Sequence, residues 1–205
     1  MSGSLVGDTM GLECILWLVL TVCGIMMTML ALRMRTFARA AGTTHPTPLP
    51  TQLRLEFAAT PGHVRKLLKQ WKEKGRTSLR RQIVLDFLFI LAYLFAGVAS
   101  ALLAGQVLAD HSPALAEVSA LVAWMWVLAA LLDVAENATL LLVIGEEDRT
   151  WLQPVGTLFA TFKWLLVVGA VAYVILAVRF GVPHVLSRLG TLLAPLWAAI
   201  TLCLC

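Results

Sequence analysis

Charged residues are scarce in this chain. Of its 205 residues, 14% are Asp, Glu, Lys or Arg, whereas soluble domains contain about 25%. Hydrophobic residues make up 60% of the sequence, and the mean hydropathy is +0.84. This composition leaves no room for a separate soluble domain. The net charge of +4, with one short basic patch, also argues against a nucleic-acid partner.

Motifs for catalysis, metal binding and disulfide formation are lacking as well. The sequence contains no phosphate-binding glycine loop, no serine nucleophile elbow and no HExxH motif. Its four cysteines show neither CxxC nor Cys/His ligand spacing. We therefore predict no metal, no cofactor and no catalytic residues. An enzyme is the less favoured interpretation, because it would depend on the carboxylate cluster described below.

Lys and Arg are absent from the first 32 residues. A secretory signal carries positive residues before its apolar region, so the first apolar run favours a retained membrane helix. Runs of about 20 apolar residues are long enough to cross a bilayer core of ~30 Å. We predict one all-α membrane domain over residues 1–205, a polytopic transmembrane helical bundle. Its four strong spans are 12–32, 83–108, 118–144 and 155–178, and a weaker run at 185–205 either crosses as a fifth span or lies in the interface.

The positive charge is concentrated between the first two spans. Twelve of the 16 Lys and Arg residues fall between Arg33 and Arg81. Short loops rich in Lys and Arg stay in the cytoplasm, so we expect residues 33–82 to be cytoplasmic and the N-terminus to face outward. The remaining loops then alternate: 109–117 outside, 145–154 cytoplasmic and 179–184 outside.

The cytoplasmic segment contains a predicted amphipathic helix at 61–74. Thr60 suits the N-cap, Pro61 the first helical position and Gly75 the C-terminal stop. Such a helix either lies among anionic lipid headgroups or packs under the bundle with its charges solvated, and the two arrangements are compatible. The residues expected at the lipid surface or at a protein partner are Arg65, Lys66, Lys69, Trp71 and Lys72.

The stretch "LLDVAENATL" (131–140) places polar residues within the third apolar run. Asp133, Glu136 and Asn137 follow i, i+3, i+4 spacing and share one helix face. At ~1.5 Å per residue, Glu136 lies roughly 12 Å and Asp133 roughly 16 Å from the cytoplasmic boundary. Ionisable groups at such depth are costly, usually face the bundle interior and pair with one another.

Other spans carry polar groups at matching depths. Lys163 is the only lysine outside the basic segment, and it lies about 12 Å from the cytoplasmic edge of the fourth span. In the second span, Asp86 is near the inner boundary and Tyr93 is about 15 Å deep on the same face. The candidate polar core or ion-binding set is Asp86, Tyr93, Asp133, Glu136, Asn137 and Lys163.

We expect Lys163 to pair with Glu136 or Asp133, and Asn137 and Tyr93 to supply hydrogen bonds. The carboxyl groups outnumber the lysine. One carboxyl is therefore protonated, matched by a bound cation or neutralised by an arginine that reaches it from the cytoplasmic side. Three interpretations follow: helix assembly, an ion or proton pathway, and a ligand or catalytic pocket. The first predicts a non-catalytic subunit or scaffold with a protein partner or a homo-oligomeric state. The second predicts a small proton- or cation-coupled transporter or channel.

Small residues recur in the second span. Ala92, Ala96, Ser100 and Ala104 are four residues apart, as are Gly97, Ala101 and Gly105. Small residues at this spacing let helices approach closely in lipid. We therefore predict that this helix lies at the centre of the bundle.

Several motifs together resemble those of an uncharacterised family of small bacterial multi-pass membrane proteins. They are "LEFAAT" (55–60), "LDFLFILAY" (85–93), "LLDVAEN" (131–137) and "FKWLLVVGAVAY" (162–173). The likeness covers about residues 53–178 and implies a location in the bacterial cytoplasmic membrane, without implying an activity. It also implies that the family pattern includes Glu56, Asp86, Tyr93, Asp133, Glu136, Asn137 and Lys163.

Overall fold

A computed structural model describes most of the chain as long α-helices. Its backbone is described at 5–40, 60, 62, 69, 72–109 and 111–204, and its side chains at 15–33, 60, 62, 69, 76–109, 111–146 and 149–180. Within these residues the regular structure is entirely helical. The elements are α1 (Leu5–Ala40), α2 (Lys72–Ala109), α3 (Pro113–Gly145), a 3-10 helix (Glu147–Leu152) and α4 (Gln153–Leu204).

Four of the described helical segments are long and apolar enough to cross a membrane. Many large apolar side chains on them point outward, including Trp124 and Leu165, which are 69% and 65% exposed. Such surface is unusual for a soluble monomer but suits contact with lipid. Among the described residues, the prediction of an all-α fold with four helices long and apolar enough to span a membrane is therefore confirmed. The segments are Ile15–Arg33, Arg76–Ala109, Pro113–Gly145 and Arg149–Phe180.

A very short turn connects α2 to α3. The carbonyl of Leu108 accepts hydrogen bonds from the amides of His111 (3.0 Å) and Ser112 (2.7 Å). Ser112 is extended, and Pro113 then begins α3. Proline suits this position because the N–H of the first helical residue has no acceptor within the helix. A connection this short makes α2 and α3 antiparallel neighbours.

The connection from α3 to α4 contains the 3-10 helix. The Glu146 amide closes α3 by donating to the Leu142 carbonyl at 3.1 Å, and the Arg149 amide donates to the Glu146 carbonyl at 3.0 Å. The side chains of Arg149 and Glu146 also form an exposed ion pair of 2.8 Å. Because exposed pairs stabilise a protein by only about 0–1 kcal/mol, this pair is a useful reference for the buried ones below.

Helix α2 contacts the other three α-helices that the structure describes, which confirms its predicted central position. Helix α3 packs between α2 and α4, and α1 lies against α2. The buried apolar side chains form two separate layers along the α2–α3–α4 unit. We call one the basal layer (Leu79, Ile83, Leu140, Val143 and Ile144) and the other the distal layer (Ala101, Ala104, Leu108, Val122, Ala170, Tyr173 and Ala177).

Glycine permits the close approach of α2 to α3. A Cβ atom on Gly97 would lie 2.3 Å from Cδ2 of Trp126, and one on Gly105 would lie 2.6 Å from Cβ of Ser119. Both distances are far below van der Waals contact. The predicted close packing of α2 therefore depends on these two glycines against α3.

Two predicted helix ends are wrong. Gly75, predicted to stop the amphipathic helix, lies within α2, and α4 continues without a break through the predicted turn at 179–184. Glycine adopts the right-handed helical conformation as readily as the left-handed one of a C-cap. The weaker run at 185–205 is thus continuous with α4 rather than a separate helix, and its side chains are outside the described residues.

Most of the predicted amphipathic helix at 61–74 also lies outside the described residues. Gly62 and Lys69 are described and exposed, and α2 already includes Lys72. The side chains of Arg65, Lys66, Trp71 and Lys72 are not described.

Candidate functional site

Lys163 forms two ion pairs between α4 and α3. Its Nζ lies 2.8 Å from Oδ1 of Asp133 and 2.7 Å from Oε2 of Glu136. The two carboxyl groups are one helical turn apart on α3, so a single ammonium group reaches both. All three side chains are buried, with 8%, 11% and 1% of their surfaces exposed. The sequence pattern predicted a pair with one of these carboxylates, and the structure brings Lys163 to both.

Tyr93 connects α2 to the same carboxylate cluster. Its hydroxyl donates to Oδ2 of Asp133 at 2.9 Å, while Oδ1 of Asp133 accepts from Lys163. The tyrosine ring lies between Phe89 and Trp126, with centroid separations of 6.0 and 6.2 Å in tilted arrangements. Aromatic pairs favour such offset geometries, so these neighbours hold the ring in place. Asp133 therefore accepts hydrogen bonds from side chains of both α2 and α4.

Asn137 makes a second connection between α3 and α2. Its Nδ2 donates to Oδ2 of Asp86 at 2.8 Å. Asn137 is completely buried, and its Oδ1 has no hydrogen-bond partner among the residues that the structure describes. Asp86 is nearly buried as well. Of the two hydrogen-bond donors that the sequence pattern proposed, Tyr93 thus reaches Asp133, whereas Asn137 reaches the carboxylate on α2.

These contacts form one polar layer across three helices. Each of its carboxyl groups accepts at least one short hydrogen bond from Lys163, Tyr93 or Asn137. Hydrogen bonds to ionised groups are about twice as strong as those between neutral groups. The polar layer consists of Asp86, Tyr93, Asp133, Glu136, Asn137 and Lys163.

Apolar side chains close the polar layer at both ends. On one side is the basal layer, in which Ile83, Leu140 and Ile144 have at most 1% of their surface exposed. On the other is the distal layer, where Ala101 and Ala170 are fully buried. The charged groups thus lie between layers of apolar side chains, where their mutual interactions are strong and an unmatched charge is costly.

Some buried polar groups were missed by the sequence pattern. Gln82, Thr150 and Gln153 are all buried towards the basal end of the bundle. Gln82 is one turn before Asp86 on the same face of α2, a spacing that could have identified it. Thr150 and Gln153 lie in and just after the 3-10 helix, where the sequence indicated only a cytoplasmic loop.

The two tyrosines allow a matched test of the polar layer. Tyr93 donates to a carboxylate, whereas Tyr173 donates to the backbone carbonyl of Leu115 at 3.0 Å. We expect Tyr93→Phe to lower the free energy of unfolding by about 1–2 kcal/mol and Tyr173→Phe by about 0.6 kcal/mol. Denaturation of both variants in mixed detergent micelles measures the difference. Equal losses would mean that the Asp133 carboxylate adds nothing to the Tyr93 hydrogen bond.

In the part of the chain that the structure describes, no group of three or more His, Cys, Asp or Glu side chains is arranged to hold a metal ion. Cys23 is buried and not in a disulfide.

No protein-family model matches the sequence, and no curated protein or solved structure is significantly similar to it. The resemblance to small bacterial membrane proteins therefore rests on the quoted motifs alone. Fold and site are compatible with an integral membrane protein whose helices are joined by a buried polar layer.

Proposed function

We propose that this protein is a non-catalytic membrane subunit or scaffold. The observation that carries the proposal is the bridge from Lys163 on α4 to both Asp133 and Glu136 on α3. An ammonium group held by two buried carboxylates fixes the rotation and depth of one helix against another, because any shift leaves a buried charge without its partner. The polar layer is thus a device for assembling helices in one register.

The contacts of α2 extend this device to a third helix. The hydrogen bonds of Tyr93 and Asn137 join α2 to α3 at two depths. Together with the closed apolar layers on either side, they support a rigid unit rather than an aqueous path. Such a unit presents fixed surfaces to lipid and to a protein partner or a second copy of the chain.

The proposal includes an orientation in the membrane. The concentration of Lys and Arg between Arg33 and Arg81 supports a cytoplasmic location for residues 33–82 and an outward N-terminus. The family resemblance favours the bacterial inner membrane. In this arrangement the basic helix at 61–74 meets anionic lipid or an acidic surface of a partner protein.

A small proton- or cation-coupled transporter or channel is the second candidate. It is favoured by the charge count of the polar layer, since among the buried described residues three carboxyl groups accompany a single lysine. A surplus carboxyl group that takes up and releases a proton or cation is a common element of transport pathways. Asp133 and Glu136 would be the residues concerned.

Flux measurements distinguish the two functions. The purified protein is reconstituted in liposomes and exposed in turn to proton, sodium and potassium gradients. For a scaffold we expect no flux above that of protein-free liposomes, because the basal and distal layers close the polar layer. Flux through the unaltered protein would contradict the scaffold.

Variants then assign any flux to its residues. The folded Asp133→Asn, Glu136→Gln protein tests the polar layer, and Glu146→Gln is the matched control because Glu146 is exposed and paired only with Arg149 among the ion pairs described. Flux that disappears in the first variant and persists in the control would establish the transporter. Flux that persists in both would place the pathway elsewhere.

A further inference from the structure

A cleft of about 610 Å³ lies between the C-terminal part of α1 and the N-terminal part of α2. It lies at the end of the spans where the basic segment begins, and it is lined by residues other than those of the polar layer. Three arginines line it: Arg33 from α1, and Arg80 and Arg81 from α2. Acidic side chains do not contribute to its lining.

The cleft is polar at its rim and apolar in its depth. Arg33 ends the apolar part of α1, and Leu30, one turn deeper, lines the wall. On α2, Val84 and Leu85 follow Arg80 and Arg81 one turn further into the span. At ~1.5 Å per residue, the apolar residues lie roughly 5 Å below the arginines on both helices.

The three arginines are exposed, and the walls of the cleft that they line are almost entirely apolar. Arginine commonly buries its stem along an apolar surface and keeps its guanidinium group at the polar boundary. Thr77, one turn before Arg81, adds a hydroxyl group at the same rim.

We propose that this cleft binds one anionic glycerophospholipid, with an acyl chain against Leu30, Val84 and Leu85 and the phosphate at the three arginines. The guanidinium group matches the geometry of phosphate oxygens. Basic pockets between membrane helices at the cytoplasmic side characteristically bind acidic headgroups. Arginines at the rim match the phosphate of a lipid, and the apolar wall below them matches its acyl chain. A soluble anion would make use of the arginines only.

This site is distinct from the amphipathic helix at 61–74. It is formed by the ends of two membrane spans, and it depends neither on that helix nor on whether the polar layer assembles or transports. A defined lipid at the α1–α2 cleft would attach α1, which packs mainly on α2, more firmly to the rest of the bundle.

Native mass spectrometry of the detergent-solubilised full chain tests the site. The probes are dioleoylphosphatidylglycerol and dioleoylphosphatidylcholine, added separately at low mole fraction. We expect a single phosphatidylglycerol to be retained in preference to phosphatidylcholine. Equal retention of the two lipids would overturn the proposal.

Two triple variants with the same loss of charge locate the binding. Arg33→Gln, Arg80→Gln, Arg81→Gln is expected to weaken phosphatidylglycerol retention about 100-fold, because each basic residue beside an anionic lipid contributes roughly five-fold. Arg149→Gln, Arg179→Gln, Arg188→Gln, which removes the three arginines that follow the basic segment in the sequence, is the matched control and is expected to retain the lipid. Equal losses, or a loss confined to the control, would overturn the assignment to the cleft.

Two further measurements separate a lipid site from a simple phosphate site. Val84→Trp fills the cleft while leaving every arginine in place, and Val84 is 59% exposed, so the larger side chain is compatible with folding. We expect this variant to lose retention as well. Unchanged retention in Val84→Trp, or displacement of the lipid by equimolar glycerol 3-phosphate, would show that the acyl chain does not occupy the cleft.

Discussion

Replacing Lys163 with methionine is expected to lower the free energy of unfolding by about 3–5 kcal/mol, because it leaves two buried carboxyl groups without their shared cation. Methionine preserves most of the volume of the lysine stem, so the effect reports the charge and its hydrogen bonds rather than a cavity. Unfolding in mixed micelles, followed by tryptophan fluorescence, measures the loss.

The charge-neutral counterpart should recover most of this stability. In the triple variant Lys163→Met, Asp133→Asn, Glu136→Gln, no charge remains among the three groups, and replacing a complete buried ion set with groups of similar volume is often neutral or stabilising. Recovery would show that the lysine serves to balance the carboxylates. If the triple variant were as unstable as Lys163→Met, the loss would instead come from packing around the lysine stem.

Arg149→Met provides the matched control for the loss of a cation. Arg149 also pairs with a carboxylate at 2.8 Å, but both partners are substantially exposed. We expect its removal to cost about 0–1 kcal/mol. Similar losses for Arg149→Met and Lys163→Met would contradict the role assigned to burial in the polar layer.

Gly97→Ala is expected to have the second largest effect. The added Cβ would meet three ring atoms of Trp126 at 2.3 to 2.7 Å, and an indole ring cannot yield as the end of a flexible side chain can. Helices α2 and α3 would have to separate, at a cost of about 1–3 kcal/mol. Because Trp126 also packs on Tyr93, the displacement would loosen the hydrogen bond from Tyr93 to Asp133.

Two other glycines serve as controls for this substitution. A Cβ on Gly24 would have no neighbour within 4 Å, and one on Gly169 would meet only the terminal methyl of Met125 at 2.9 Å. Alanine is the better helix former by about 1 kcal/mol, so Gly24→Ala should be neutral or stabilising, and Gly169→Ala close to neutral. Thermal unfolding of the three variants in one detergent provides the comparison.

A compensating change on α3 completes the test. Trp126→Leu removes the ring that Gly97→Ala would meet, so the double variant should be less destabilised than the sum of the two single variants. Strict additivity would show that the two positions do not interact and would contradict the close contact. The same comparison shows whether the Trp126 ring alone limits how closely α2 and α3 can approach.

The sequence was a reliable guide to the four helices of membrane-spanning length and to the polar groups of α3 and α4 that lie together. Both follow from local quantities: the hydropathy of a run decides whether it suits lipid, and a rise of ~1.5 Å per residue converts a position into a depth. For this reason Lys163 was expected to pair with Asp133 or Glu136. It was a poorer guide at Gly75 and at 179–184, because a residue that permits a helix to end does not oblige it to end.

What the sequence alone determined is that four apolar helices carry a small set of polar groups at matching heights. The tertiary structure decided which of those groups interact. Lys163 pairs with both carboxylates of α3, Tyr93 donates a hydrogen bond to the second oxygen of Asp133, and Asn137 donates one to Asp86. These choices depend on how far each helix is rotated about its own axis. That rotation is fixed by contacts between distant parts of the chain, such as Gly97 against Trp126, and no local pattern contains it.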